Sequence, residues 1–289
     1  MRKGAVKNYM SLVKFGHTVF AMPFAITGFF LGAQHSSEAV PWYLFVLVTL
    51  CMVFARNAAM AFNRYADREM DSLNPRTAYR EIPLGIVKPR SALFFVILNS
   101  ILFIATTWFI NSLTFFLSPI ALIIILGYSL TKNYTGLCHF ILGIGLSLAP
   151  IGAYLAVTGE FDLLPVFYSI LVLFWVSGFD MLYALQDEEF DKKMNLRSMV
   201  VFLGKKGAIR LSMITHIISA FMVLIIGIIA GFGMFYWIGS FIFAGLLAYQ
   251  HFIVKPEDLS RINLAFFTTN GIASIIFAVF NITEFYLVY

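Results

Sequence analysis

The sequence predicts an all-α polytopic membrane protein with nine transmembrane helices and a cytoplasmic N-terminus, on three observations. The first is composition: of 289 residues, 60% are hydrophobic, 17% are aromatic and only 12% are charged, and the mean hydropathy is +0.86. An ordinary soluble domain is roughly 45–50% apolar and about 25% charged. The second is a series of apolar runs close to the roughly 20 residues that a spanning helix needs. They fall at 15–33, 43–66, 92–111, 114–131, 137–158, 164–185, 209–230, 234–253 and 264–288. The third is a one-sided distribution of Lys and Arg among the connections.

Taken in order, the first run follows Arg2, Lys3, Lys7 and Lys14, as in a secretory signal peptide. Eight further spans downstream and Pro23 inside the run favour a retained first helix. The second run ends in "ARNAAMAFNRYAD" and the sixth in "GFDMLYALQDEEFDKK", so both carry acids into the loops that follow. The fourth closes at Lys132. Between the seventh and eighth, "GIIAGFG" (Gly227 to Gly233) supplies a small-x-x-x-small spacing, read as packing within the chain rather than as a dimer contact.

The basic residues fall at alternate connections. Four lie at the N-terminus; Arg56, Arg64, Arg68, Arg76, Arg80, Lys88 and Arg90 lie along the second helix and its loop, and Lys132 ends the fourth helix. Lys192, Lys193, Arg197, Lys205, Lys206 and Arg210 follow the sixth, and Lys255 and Arg261 precede the ninth. The intervening connections hold none, and Glu38, Glu160 and Asp162 lie there. By the positive-inside rule this places the N-terminus in the cytoplasm and the C-terminus outside. Residues 1–289 read as one transmembrane domain with two polar cytoplasmic loops, about 72–90 and 187–208.

Several classes are set aside. Cys51 and Cys138 lie within predicted spans and the five histidines are scattered singly, so neither a disulfide framework nor a zinc site is indicated. The net charge of +5 follows the loop asymmetry and suits anionic lipid heads of the bilayer. No basic-aromatic pattern points to nucleic acid, and no obligatory protein partner is evident.

Residues four and seven apart share a helix face. Arg56, Asn63, Asp67 and Asp71 therefore form one stripe, and Asp180, Tyr183, Asp187 and Asp191 form another, both reaching the cytoplasmic side. Carboxylates one turn apart repel, which calls for a cation between them. Mg2+ is usually held by one or two carboxylates with substrate phosphate oxygens and water, so two facing D-x-x-x-D stripes suit a diphosphate gripped through Mg2+. Arg64, Arg68, Arg76 and Arg80 after the first motif, and Lys192, Lys193 and Arg197 after the second, are available for the remaining phosphate charge. Glu69, Glu188, Glu189, Lys205 and Lys206 read instead as interfacial charges that solvate loop ends. Arg56 and Asp180 lie deeper, where an ionisable group is costly and usually faces an interior cavity.

"NRYADREMD" and "YALQDEEFD" resemble the paired N-x-x-x-D-x-x-x-D and Y-x-x-x-D-x-x-x-D signatures of the UbiA superfamily of intramembrane prenyltransferases. "ARNAAMAFNRYAD" is similar to that family's Arg seven residues before the Asn. "NPRTAYREIPLG" is similar to its following loop, and "YSLTKNYT" to its fourth-helix segment, so the likeness covers about 15–205. The chain departs from the common pattern at Glu81, where many members have Pro, and at Asn133, where many have Arg.

The resemblance implies nine helices around a central cavity and transfer of a polyprenyl group from its Mg2+-bound diphosphate to an aromatic or other acceptor. Carried over by position, Asn63, Asp67 and Asp71 hold one Mg2+ and Asp187 and Asp191 the other. Arg64, Arg80 and Lys132 contact the diphosphate, and Arg56 and Tyr183 line the cavity. "NPRTAYREIP", "GFDMLYALQDEEFD" and "LAPIGAYLAVTG" are most similar to a branch labelled 4-hydroxybenzoate polyprenyltransferase-like. That implies an aromatic hydroxy-acid acceptor, respiratory (ubiquinone) quinone biosynthesis and a bacterial inner membrane with the active site facing the cytoplasm. The same branch includes enzymes that prenylate a dihydroxynaphthoate in the futalosine route to menaquinone. Haem, chlorophyllide, homogentisate and glycerol phosphate lipids share the donor chemistry.

Such a site ionises an allylic diphosphate, with Mg2+ and Arg or Lys stabilising the leaving group, and the cation then joins an electron-rich ring carbon. Arg56, or His17 or Lys14, would pair with an acceptor carboxylate. Tyr183, Tyr128, Tyr154 and Phe179 would shield the cation, and Asp180, Asp67 or released diphosphate would take the ring proton. A secondary transporter would use Arg56 and Asp180 along a substrate path. The clustering of acids with loop arginines at one face favours the enzyme.

Overall fold

The computed structural model describes residues 3–13, 20–36 and 38–287. The first expected span is therefore described only from Phe20, and Lys14 and His17 lie outside the described residues. The chain begins with α1 (Lys3–Leu12), α2 (Met22–His35) and α3 (Trp42–Ala66), and α3 runs into the short α4 (Arg68–Leu73). α5 (Pro89–Trp108), α6 (Ser112–Thr131), α7 (Cys138–Thr158) and α8 (Leu163–Ala184) follow, then a 3-10 turn (Leu185–Asp187) and α9 (Glu188–Lys193). α10 (Met199–Ala230), α11 (Met234–Ile253), a π-helical turn (Leu264–Thr269) and α12 (Asn270–Leu287) complete the chain. Among the described residues no strand forms, and an isolated bridge joins Lys255 to Asp258.

Among the described residues each apolar run overlaps a helix, the first only through α2 and the last through the π-helical turn and α12. Among the described residues seven stretches are long and apolar enough to cross a membrane. α2, with 14 described residues, and α11 are not among them. In α11, Tyr236, Trp237, Tyr249, Gln250 and His251 dilute the apolar content of a helix that has the required length. Large apolar side chains cover the outside, including Phe94, Ile101, Phe116, Ile123, Phe241 and Phe252. A surface of this kind needs lipid rather than water around it, and the protein is an integral membrane protein.

Neighbour follows neighbour in the order α3, α5, α6, α7, α8, α10, α11, α12, with α2 closing the ring against α7 and α12. Burial is uneven around it. α8 and the turns after it bury 56% of their most apolar window inside the protein, and the π-turn with α12 buries 50%, against 28% for α5 and 22% for α6.

α2 approaches α7 closely because Gly28 and Gly32, one turn apart, face it, and small residues let backbones meet in a bilayer. A Cβ on Gly28 would lie 2.1 Å from the Pro150 carbonyl oxygen, and one on Gly32 would lie 2.9 Å from Val157 Cβ. The obstacle at Gly28 is backbone and cannot rotate aside. Gly28→Ala is therefore expected to destabilise the fold by about 1–3 kcal/mol, read as a lowered thermal unfolding midpoint in detergent. Gly227 packs in the same way against Tyr236 and Trp237, so the "GIIAGFG" spacing serves the α10–α11 turn.

Hydrogen bonds tie the other side of the ring together, since buried polar groups in an apolar medium must pair. Asn270 Oδ1 accepts from Trp175 Nε1 at 2.9 Å and from Gln250 Nε2 at 2.8 Å, and Tyr168 donates to Asn281. Glu284 is fully buried on α12. Its carboxylate accepts from the backbone N–H groups of Gly233 at 2.5 Å and Tyr236 at 3.2 Å. It thus caps the N-terminus of α11 from another helix, where a negative charge also meets the positive end of the helix dipole. Glu284→Ala is expected to cost about 1.5–3 kcal/mol, again as a lowered unfolding midpoint, with Glu284→Gln losing less because one acceptor remains.

Candidate active site

α3 and α8 deliver the two acidic motifs, and both helices break at the first aspartate. Asp67 ends α3 with φ −85 and ψ 0, and Asp187 closes the 3-10 turn after α8 with φ −100 and ψ 0. Each is followed by a helix of six residues, α4 carrying Asp71 and α9 carrying Asp191. The expected continuous stripes are therefore bent, because the chain leaves the bundle wall at this level. α9 lies within the polar loop expected at 187–208, whereas α4 mostly precedes the one expected at 72–90.

The breaks sit at one end of a cavity of about 660 Å³. Asn63, Arg64, Asp67, Arg80, Lys132, Asp187 and Asp191 line that end, and Arg56, Asp180 and Tyr183 line the wall deeper in. Beyond them the lining becomes apolar, with Val48 and Met52 on α3, Ile124 on α6 and Leu142 on α7. Lining positions on α3 run from Val48 to Arg64, about 24 Å at 1.5 Å per residue, most of a bilayer's hydrocarbon core.

Two of the acids at the polar end carry matched partners. Asp67 Oδ2 accepts from Asn63 Nδ2 at 3.1 Å and lies 3.2 Å from Lys132 Nζ. Burial pushes the Asp67 carboxyl above the usual carboxylate range, and the charge of Lys132 pulls against it. Asp187 receives Arg76 through two bonds, Nε to Oδ1 at 2.8 Å and a second guanidinium nitrogen to Oδ2 at 2.5 Å, and Asn74 adds a third at 3.2 Å. Burial disfavours the Arg76 charge, but the hydrogen bonds and charge of Asp187 outweigh it and leave its pKa raised. The same guanidinium lies 5.3 Å from the Tyr183 ring centroid and donates to the Tyr183 hydroxyl at 3.2 Å. Tyr183 in turn stacks on Phe266 with centroids 4.1 Å apart.

Two expected site residues stand apart from the cavity lining. Asp71 is buried behind Asp67, with Oδ1 2.6 Å from an Arg80 guanidinium nitrogen and Oδ2 without a hydrogen-bond partner. Arg197, expected at the diphosphate, is exposed, and its guanidinium donates to the Tyr134 carbonyl at 2.9 Å. Its backbone N–H donates to the Lys132 carbonyl at 2.8 Å, so its contacts fix the loop after Lys132. Arg68 faces away as well, 4.7 Å from the Tyr65 ring centroid and paired with Glu69 at 3.0 Å.

Three further residues bear on the site. Asn74 holds Asp187 from the loop after α4. Glu81, which stands at the departure from the common loop pattern, is buried and accepts from Ser11 of α1. His139 on α7 is 3% exposed, with Nδ1 2.7 Å from Asp180 Oδ2. No spacing rule links these pairs, since each joins distant parts of the chain.

An all-helical membrane protein with two aspartate motifs facing each other at one end of an apolar cavity is a device for a substrate with a charged head and a greasy tail. Residues 21–272 match the UbiA prenyltransferase family, and the chain belongs to that family and is a prenyltransferase. A 4-hydroxybenzoate octaprenyltransferase of Aliivibrio fischeri is 27% identical over 255 residues, covering 87% of this chain and 88% of that protein. An apo structure of a UbiA homolog from Aeropyrum pernix K1 is 30% identical, covers 91% of this chain and 96% of that one, and superposes with a TM-score of 0.82. A UbiA homolog from Archaeoglobus fulgidus, bound to DMAPP and Mg2+, shares the fold with a TM-score of 0.73 at 21% identity, over 97% of this chain and 99% of that one.

Proposed function

We propose that the protein transfers a polyprenyl group from polyprenyl diphosphate to an aromatic hydroxy acid of the 4-hydroxybenzoate type, for respiratory quinone synthesis. The observation that carries the donor half is the meeting of both acidic motifs with Arg64, Arg80 and Lys132 at one end of an otherwise apolar cavity. The acceptor half is supported by Arg56 in the wall below and by the name of the Aliivibrio fischeri relative.

The donor set fits Mg2+. The residues offered are hard oxygens, and a buried Asp71 oxygen has no hydrogen-bond partner. Among the described residues no three His, Cys, Asp or Glu side chains converge as a complete metal site, which suits an ion whose shell is completed by diphosphate oxygens. The Archaeoglobus fulgidus structure with DMAPP and Mg2+ supports the same reading. Asn63, Asp67 and Asp71 would hold one ion and Asp187 and Asp191 the other, supplying charge stabilisation to the leaving diphosphate.

The chain's own residues do the rest. Arg64, Arg80 and Lys132 bind the diphosphate, and Arg76 reaches it from the loop. Arg56 pairs with the acceptor carboxylate, Tyr183 shields the allylic cation with its ring face, and Asp180 is the third catalytic group. The apolar length of the cavity takes the isoprenoid tail and excludes water that would trap the cation. Residues 1–289 act as one domain of nine spans, N-terminus in the cytoplasm, with the polar end of the cavity facing the cytoplasm of a bacterial inner membrane.

Purified protein in detergent, given Mg2+, a polyprenyl diphosphate and a mixture of 4-hydroxybenzoate and a dihydroxynaphthoate, is expected to yield prenylated 4-hydroxybenzoate by mass spectrometry. Product from the dihydroxynaphthoate alone would move the assignment to the menaquinone acceptor. Absence of any product, with ion flux in liposomes, would sink the reading in favour of a transporter.

A further inference from the structure

We propose that His139 and Asp180 form a hydrogen-bonded dyad in the cavity wall, in which Asp180 takes the proton released by the acceptor ring and His139 holds its carboxylate in position. The inference rests on the aromatic-acceptor reading above and assigns that reading's proton acceptor.

Among the described residues four carboxylates line the cavity, Asp67, Asp180, Asp187 and Asp191. Three lie at the polar end. Asp67 is engaged by Lys132 and Asn63, and Asp187 by Arg76 and Asn74, so both are committed to that end. Asp180 lies seven residues before Asp187, about 10 Å deeper along α8. Arg56 lies eleven residues before Asp67 on α3, about 16 Å below that aspartate, so a carboxylate held there leaves the attached ring extending up toward Asp180. A ring whose carboxylate meets Arg56 thus lies at the level of Asp180, below the diphosphate.

The partner of Asp180 is an imidazole. His139 Nδ1 lies 2.7 Å from Asp180 Oδ2, and the Asp180 side chain keeps 24% exposure while His139 keeps 4%. An ionised carboxylate only accepts, so Nδ1 carries the hydrogen and donates. His139 Nε2 is buried with no hydrogen-bond partner, a penalty that a histidine serving packing alone would avoid. The His139 backbone packs against α8, where Ser177 Oγ lies 3.3 Å from the His139 carbonyl. One carboxylate oxygen is thereby held, and the side chain still borders the cavity.

The step balances. Departure of the diphosphate takes the C1–O bonding pair with it, and the ring carbon beside the hydroxyl supplies the pair for the new carbon–carbon bond. The C–H bond on that ring carbon returns its pair to the ring and its proton goes to Asp180, which passes it to water or diphosphate at the polar end. Asp180 is the catalytic residue and His139 is a positioning residue.

The test compares 4-hydroxybenzoate with its form deuterated at both carbons beside the hydroxyl, using the full-length protein with Mg2+ and polyprenyl diphosphate. The wild type is expected to show a kinetic isotope effect of about 1, with ionisation limiting. Asp180→Asn is expected to lose about a hundredfold in kcat and His139→Ala about tenfold, as a general base and its orienting partner do. KM for both substrates should stay within about twofold and the isotope effect should rise to about 2 or more, because proton removal becomes limiting. His139→Asn places an amide donor where Nδ1 stood and is expected to recover kcat to within about threefold of wild type with the isotope effect again near 1; it also reads the dyad if the alanine variant does not fold. Wild-type turnover in Asp180→Asn and His139→Ala overturns the dyad alone, and so does lost turnover with an unchanged isotope effect. No transfer by the wild type to 4-hydroxybenzoate overturns the acceptor reading and the dyad with it.

Discussion

Asp67→Ala and Asp187→Ala are each expected to lower kcat for prenyl transfer by roughly a thousandfold or more, the scale seen when preorganised charge stabilisation is removed. The two aspartates end their helices at equivalent breaks and form opposite sides of the polar end of the cavity. Neither belongs to the apolar core of the bundle, so the variants should remain folded in the membrane. Removing Asp67 leaves Lys132 without its carboxylate, and removing Asp187 releases Arg76 from a two-bond pair. The loss is therefore of register among cations as well as of a proposed metal ligand. Glu69→Ala, at an exposed pair with Arg68, should turn over as wild type. Activity surviving in both aspartate variants would refute the assignment of these motifs to the diphosphate.

The second large effect is expected at Arg56. Arg56→Ala should raise KM for 4-hydroxybenzoate by about 10–100-fold, the range of one charge-assisted hydrogen bond to a carboxylate of about 1.5–3 kcal/mol. KM for the prenyl diphosphate should move little, since the residue lies about 16 Å along α3 from Asp67. Arg56→Lys keeps the charge but loses the two-pronged geometry, and should recover only part of the affinity. A phenolic acceptor without a carboxylate separates the explanations: its KM should be insensitive to the change. A rise in donor KM with acceptor KM unchanged would place Arg56 with the diphosphate.

Much of this site was legible because membrane helices advertise themselves. Length, apolarity and alternating loop charge located the helices of α3 and α5 through α8 to within a few residues, since a spanning segment has one medium along its length and little freedom to deviate. The paired D-x-x-x-D spacing then marked both halves of the polar end. What spacing concealed were bends and distant partners. No glycine or proline announces the breaks at Asp67 and Asp187, whereas the kink in α10 does fall at Gly204, at φ 68 and ψ 171, a conformation that glycine adopts readily. Arg197 follows the second motif in sequence as closely as a diphosphate contact would, yet the nearby Tyr134 carbonyl captures it. His139 read as one of several isolated histidines because its partner lies 41 residues away on the next helix, and only the packing of α7 on α8 joins them.

The uneven burial around the ring has a mechanical consequence. Stiffness lies with α8, α11 and α12, where buried side-chain hydrogen bonds such as those of Asn270 fix each helix against its neighbours. α5 and α6 are held mainly by apolar contact, with Asn57 to Asn99 at 3.3 Å and Asn111 to the Leu155 carbonyl at 2.8 Å as polar ties. Lipid tails are as apolar as the side chains they would replace, so separating such helices carries no hydrophobic penalty, and segments with few buried contacts open at the lowest free energy. The cavity thus has a rigid wall and a compliant one. Asp180 and Asp187 ride on the rigid wall, with His139 bonded to it from α7, which keeps the proposed reacting groups in register, while a long isoprenoid chain can enter or leave the bilayer by displacing the compliant one.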